Sequence, residues 1–382
     1  MDLLKKIRTF FSSLGGPPRE VEGGLASEIL GGGFRWGNDS KDFLLKAYGL
    51  NPIVFMVIDR ISSRAVELEK TMLDYKYEAT ENPDFEELLE SPNDSENFNI
   101  LLYRILGTYL ATGEFFLVKD VEIGERDAYF CPVNYHVHPV VNVAGDVLYY
   151  NIAHKGELKK FLPVEVLHIR KPDITQDSVR GFSTLRATRS VWESNNELWK
   201  AEAALQKNRG ISGILYTDSN RPLTPTEQKE QQKTYDEKWT GSENFGRVRV
   251  EAQKMGFLQM GMNQKDLKSI EARVEHLRFI CAAFNTDSIL FGDPASSTYN
   301  NLAEAKRDFI LYAVLPLSKS AIAPTVEFMS RSVFTPISMK INKAKIEELQ
   351  AFKADESTRI QSEVNAGILT VEEGRAMLYP EL

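Results

Sequence analysis

Residues 267–316 read LKSIEARVEHLRFICAAFNTDSILFGDPASSTYNNLAEAKRDFILYAVLP, and three features of this stretch decide the architecture. Leu267, Ile270, Val274, Leu277, Cys281 and Phe284 alternate steps of three and four across roughly five turns, the spacing of a helix that packs along a narrow seam. Phe291-Gly-Asp-Pro294 ends that helix, and the small polar run Ala295-Ser-Ser-Thr-Tyr-Asn300 predicts a loop between two helices. Asn301 and Glu304 have the spacing of a capping box, so a second helix is expected to restart there and continue to residue 333. Pro316 and Pro324 interrupt its apolar pattern, and each removes a backbone donor at a cost of about 3 kcal/mol in a straight helix. A kinked or broken helix is therefore expected.

Working outward, Ser183 can cap a helix that runs without a breaker to Asn208, with Val191, Leu198 and Leu205 at intervals of seven and Trp192 and Trp199 beside them. Residues 210–263 read as a compact insert with neighbouring ends. It holds a strand at 214–216, a polar helix opened by Thr224-Pro-Thr-Glu227, and a β-rich segment at 248–252. Upstream, Asn51-Pro52 opens a helix whose apolar face is expected to carry Ile53, Met56, Val57, Ile61, Ala65 and Leu68. A strand over 71–77, a helix over 96–111 and short strands over 115–121, 129–133, 136–143, 147–152 and 166–170 follow, with turns at 144–146 and 155–156. Downstream, 334–341 alternates like a strand. Two helices then part at Asn365-Ala-Gly367, the second capped by Thr370 with Glu373. The fold class is α+β, and residues 12–40, dense in Gly, Ser and Pro, read as an arm.

The 382 residues are 42% hydrophobic, enough for two or three interdependent subdomains. Lys and Arg total 46 against 54 Asp and Glu, a net charge of -8, which lacks the basic excess of a chain that grips nucleic acid for its own sake. Cys131 and Cys281 cannot make a disulfide framework or a four-ligand zinc site. No signal peptide and no membrane-spanning apolar run is expected. No G-x-x-x-x-G-K-[ST] cradle occurs, so a packaging ATPase is set aside. His136 and His138 share one strand face, but no third ligand accompanies them, and a structural role is expected. Glu275, His276 and Cys281 suggest an acid, a base and a nucleophile, yet Cys281 sits on the seam and His276 points elsewhere. The expectation is no enzyme, no metal and no cofactor.

Several phrases in this order resemble the HK97 family of bacteriophage portal proteins: Glu165-Val-Leu-His168-Ile-Arg170, Gly181-Phe-Ser-Thr-Leu185, Lys207-Asn-Arg-Gly210, Ser297-Thr-Tyr-Asn-Asn301 and Leu315-Pro316. Thr370-Val-Glu-Glu373-Gly-Arg375 is similar to a Thr-x-Asn-Glu-x-Arg phrase of that family, with Glu372 in place of Asn. The resemblance spans about 41–378. It implies an N-terminal arm (1–40), a wing (41–182), a first stem helix (183–209), a small α/β clip (210–263) and a second stem helix (264–291). A tunnel loop (292–300), a kinked helix and strand returning to the wing (301–342) and a helical crown (343–382) complete it. It further implies a ring, usually twelve-fold, at one capsid vertex of the virion, assembled in the bacterial cytoplasm. Double-stranded DNA would pass through without sequence preference. The other implied partners are the terminase large subunit, a head-completion or adaptor protein, the major capsid protein and a scaffold, with no membrane.

On that reading DNA must slide in either direction, so a strong phosphate grip would act as a barrier at every step. Glu193, Glu197, Glu271 and Glu275 would hold phosphates at a distance, while Lys200, Lys207, Lys268 and Arg273 limit the repulsion. Ser296, Ser297, Thr298, Asn300 and Asn301 can offer weak hydrogen bonds to backbone oxygens and Tyr299 adds bulk, unless these residues form only a polar turn and helix cap. The seam is expected to pack on both a neighbouring stem and the chain's own first stem helix. Trp192 and Trp199 are expected in packing rather than DNA stacking. Two other classes stand beside this one: a ring-forming virion connector or adaptor without a DNA-gating loop, and a nucleic-acid enzyme.

Overall fold

A computed structural model describes residues 19–20, 41, 43–121, 127–142, 145–174, 179–207, 213–217, 224–239, 255–259, 269–293 and 299–378. Along the chain run β1 (Arg19–Glu20), α1 (Pro52–Glu67), β2 (Lys70–Leu73), α2 (Pro83–Glu90), α3 (Phe98–Thr112), β3 (Glu114–Val121), β4 (Asp127–Phe130), β5 (Val137–Val141), β6 (Val147–His154), β7 (Glu157–Phe161) and β8 (Val166–Arg170). There follow α4 (Arg189–Lys207), β9 (Gly213–Thr217), α5 (Pro225–Trp239), β10 (Met255–Gln259), α6 (Ser269–Ala283), a helical run over 299–330 called α7, β11 (Ser338–Ile341), α8 (Glu347–Asn365) and α9 (Val371–Leu378). Residues 190–280 form one compact unit, and the remainder of the chain forms the other.

In the larger unit, α1 and α3 each begin with an Asn whose side chain accepts from the third backbone N–H onward, Asn51 from Val54 and Asn97 from Ile100, both at 3.0 Å. Gly113 ends α3 in the left-handed conformation at φ 77°, the position where a Cβ is most costly. The next residues, Glu114 to Val118, show no apolar alternation because both faces of β3 are buried. Phe115 meets Tyr109 of α3 edge-on at 6.0 Å, while Phe116 meets Tyr150 of β6 at 5.9 Å. β3 is the centre of a three-stranded sheet in the order β4-β3-β8, and a four-stranded sheet runs β1-β5-β6-β7. Phe116, Val118 and Val166 of the first sheet share a core with Val137, Tyr150, Ile152 and Phe161 of the second.

Differences from the sequence reading have local causes. Four strands and helices were not foreseen: β1, inside the segment read as an arm; α2, opened by Asn82 ahead of Pro83; β7, joined to β6 by Lys155-Gly156, both at positive φ; and β10, beyond the β segment expected at 248–252. The strands after Lys70 and before Asn342 are shorter than expected, and they pair antiparallel with each other from Lys70↔Ile341 to Leu73↔Ser338. The helix expected from Ser183 is broken: Ser183 caps a single turn, Thr184–Ala187, before α4 begins. α7 keeps its helical path around both prolines by widening into π-turns at Phe309–Val314 and Ser318–Ile322. Contrary to the expected absence of a membrane-length run, Asn301–Val333 is long and apolar enough to cross one. More than half of its apolar window is buried inside the fold, as a core helix would be.

In the smaller unit, β9 and β10 pair antiparallel in full register, Gly213 opposite Gln259, so the ends of the insert meet. Thr224 and Glu227 form the expected capping box at the start of α5. The β-rich segment expected at 248–252 lies outside the described residues. The helices that end the chain match their expected caps. Glu373 accepts from the Thr370 N–H at 2.9 Å, and Gly367 sits at φ 71° between them.

Candidate functional site

Within the smaller unit, α4 and α6 are held together through Arg273. Its guanidinium lies 3.0 Å from Glu202 and stacks 4.4 Å above the Trp199 ring, whose indole N–H donates to Asn195 Oδ1 at 3.2 Å. Arg273 therefore packs between the two helices with its charge set against Glu202. Trp192 is buried, and Trp199 serves this contact, so both tryptophans pack. The other faces carry the expected charges. Glu197 and Lys200 pair at 2.7 Å in the open, Glu271 and Glu275 are exposed, and Glu193 is half-buried. Lys207 closes α4, while Lys268 and Leu267 lie outside the described residues. Of the seam, Leu277, Cys281 and Phe284 are buried and Val274 is half-buried, but Ile270 is 68% exposed. The Cys281 thiol is pushed up to about 12 by burial, far from a nucleophile's range.

The polar segment between α6 and α7 leaves from a fixed point. Asp287 caps the turn Ser288–Phe291 through the Ile289 N–H at 2.9 Å, and the Ser288 hydroxyl donates to the buried Asp293 at 2.8 Å. Arg60 of α1 donates to the Leu290 carbonyl at 2.8 Å and lies 5.5 Å above the Phe291 ring. Ser296, Ser297 and Thr298 are outside the described residues. Tyr299, Asn300 and Asn301 are not loop residues: α7 begins at Tyr299, two positions before the expected start. Asn301 is thus an exposed residue of the first turn and not the cap, because the helix needs no box once an earlier residue opens it.

A buried ionic node that the sequence reading did not single out fixes the sheet to the entry of α4. Glu114 of β3 is wholly buried. Arg180 Nε–H donates to its Oε1 at 2.8 Å, the Gly181 N–H to its Oε2 at 2.7 Å, and His168 Nε2 of β8 lies 2.9 Å from Oε2. Arg180 also donates to the carbonyls of Val137 and Asn134, at 2.7 and 3.1 Å. Burial works to raise the Glu114 carboxyl, but the Arg180 guanidinium, His168 and the Gly181 N–H outweigh it, so the group is held below its usual range. Burial lowers His168 against the pull of Glu114, leaving a neutral ring that donates Nε2–H to the carboxylate. Gly181 approaches so closely that a Cβ there would lie 2.5 Å from the Gly113 carbonyl oxygen. Two of the phrases quoted above, around His168 and Gly181, thus converge on one carboxylate.

Among the described residues no group of three or more His, Cys, Asp or Glu is arranged to hold a metal. Helices α4 and α6 joined through Arg273, together with the α+β body, form a mixed helix-and-strand fold that matches known structures. Residues 52–378 match the phage portal protein family, and the chain belongs to it. The neck of an empty gene transfer agent particle, computed with six-fold symmetry, is similar at a TM-score of 0.66 and 23% identity over 96% of both chains. An HK97-family phage portal protein from Corynebacterium diphtheriae is similar at 0.55 and 14% identity, covering 80% of this chain and 95% of that one. An uncharacterized protein of Rickettsia bellii is 23% identical over 342 residues, 87% of this chain and 88% of its own.

Proposed function

We propose that the chain is one copy of a closed ring at a capsid vertex, through which double-stranded DNA enters and leaves the particle. In this reading residues 41–182 with 299–342 are the wing, 183–209 and 264–291 the stem, 210–263 the clip, 292–298 the tunnel loop and 343–382 the crown. The α4–α6 pair carries the reading. The two described helices carry Glu193, Glu197, Glu202, Glu271 and Glu275 against Arg189, Lys200, Lys207, Arg273 and Arg278, a balance with no basic excess. Such a balanced surface grips phosphates weakly, which suits a conduit better than a clamp. Ser296, Ser297 and Thr298, with Asn301 at the start of α7, make weak, sequence-blind contacts with the passing backbone. The clip docks the packaging motor and later a head-completion protein.

Negative-stain electron microscopy of the purified chain tests this. Closed rings with a through-opening wide enough for duplex DNA are expected, near the twelve-fold order in which a gene transfer agent neck was computed. A stable closed ring without a through-opening would refute the conduit.

A further inference from the structure

Two uncovered patches of the larger unit complement each other, and we infer that they form the junction between adjacent copies; this rests on the ring reading above. The first is a groove of about 510 Å³ between the turn after β2 and the segment before β11, rimmed by Tyr75, Tyr77 and Phe334. These rings are 69%, 77% and 96% exposed. Tyr77 and Phe334 occupy the left-handed region at φ 64° and 54°, where glycine or asparagine is the ordinary choice. Each combines a backbone conformation that is costly for an aromatic residue with a ring left exposed, a pairing that no packing among the described residues accounts for. The groove also carries Asp74 and Glu327 against Arg331, a surplus of one negative charge.

The second patch is the outer edge of the four-stranded sheet. β7 is the terminal strand of that sheet, and Leu158 on it and Val164 just after it are each 68% exposed, with Leu162 half-exposed between them. Lys159 is already neutralised by Asp120 at 2.8 Å, whereas Lys160 faces only the Tyr149 ring, 3.5 Å from its centre. An aliphatic ridge with a cation thus meets, on the same chain, an aromatic groove with an anionic surplus. The two share no residue, which is what a head-to-tail contact requires: one copy's ridge enters the next copy's groove, and repetition gives a ring where the rotation between copies closes. A bare, apolar edge strand would otherwise invite indiscriminate pairing.

The test uses full-length Leu158→Glu and Phe334→Glu, both on exposed positions, with circular dichroism confirming an unchanged fold. Sedimentation and electron microscopy then compare wild type, each variant and their mixture. Wild type is expected to form rings and each variant alone to remain monomeric. The equimolar mixture is expected to form heterodimers and no rings, because it retains one intact junction, the Phe334→Glu ridge in the Leu158→Glu groove. Rings from either variant alone, or a mixture that stays monomeric, would overturn the junction while leaving the ring reading in place. Wild type that closes no ring removes the ring reading itself, and the junction with it.

Discussion

Replacing Glu114 by Gln tests the buried node with almost no change of shape. The amide keeps one oxygen for the Gly181 N–H or His168, but it loses the charge that faces Arg180 and presents an NH2 where donors already converge. Arg180 is 2% exposed, so its guanidinium would be left buried beside the Asn134 and Val137 carbonyls without the opposing carboxylate. Leaving one half of a buried ion pair uncompensated costs about 3–5 kcal/mol, against roughly 0–1 kcal/mol for an exposed pair such as Glu197–Lys200. Hydrogen exchange read on peptides covering 114–118 and 166–170 isolates the unit concerned, since β3 and β8 are bonded along that register. Protection in E114Q is expected to fall by roughly a hundredfold or more. Adding Arg180→Met is expected to cost less than the two single losses combined, because the charge left stranded is then removed. Protection in E114Q within about threefold of wild type would mean the ion pair contributes little, and the assignment of the node as the tie between sheet and helix entry would fail.

The remaining predictions concern the same chain. His168 is depressed below its usual value, so the stability it contributes is present above pH 6.5 and is lost as pH falls below that; Glu114, also depressed, adds a loss only as pH drops beneath 4.5. A urea midpoint that falls between pH 7 and 5.5 in wild type and less in His168→Gln checks the first step. Gly181→Ala drives a methyl against the Gly113 carbonyl and is expected to cost about 2 kcal/mol or more, read as a lower thermal midpoint of the larger unit. Arg273→Ala removes the Glu202 pair and the stack on Trp199 and is expected to cost about 1 kcal/mol, with Trp199 fluorescence shifting to the red. Reversing Glu197 and Glu275 together to Lys turns a balanced surface basic and is expected to make assembled rings retain linear duplex at low salt, in a filter assay where wild type retains none; equal passage by both would refute the weak-grip argument.

Local chemistry was legible in the sequence wherever one residue decides a local geometry. Asn51, Ser183, Thr224 and Thr370 open helices as their side chains dictate, and Gly367 separates the last two. The start of α7 was misjudged because Asn301 and Glu304 do have box spacing; a helix that begins two residues earlier leaves that box unused, and spacing alone cannot exclude this. α2 was missed for the opposite reason. Eight residues holding only Phe85 and Leu88 in the core show too few apolar repeats to reveal a period. β3 was placed well despite its lack of alternation, because a run of Phe, Leu and Val is short and β-rich.

The site was legible in its charges and opaque in its connections. Glu193, Glu197, Glu271 and Glu275 could be named because exposed charge on a periodic helix needs only the helix to be predicted. Which charge turns inward is decided by the partner helix, and Arg273 went to Glu202 and Trp199, some seventy residues away in sequence. The node is harder still: Glu114, His168 and Arg180 lie 54 and 66 residues apart and share no periodicity, so nothing local distinguishes them from surface charges. Gly181 follows Arg180 directly, and Gly113 precedes Glu114; each glycine permits the backbone approach that brings the ionic partner beside it. The same adjacency of charge and glycine occurs at the exposed turns Lys155-Gly156-Glu157 and Gly145-Asp146, so it does not mark the node in the sequence; a buried ion pair needs both the charge and the room to bury it, and only the fold supplies the room.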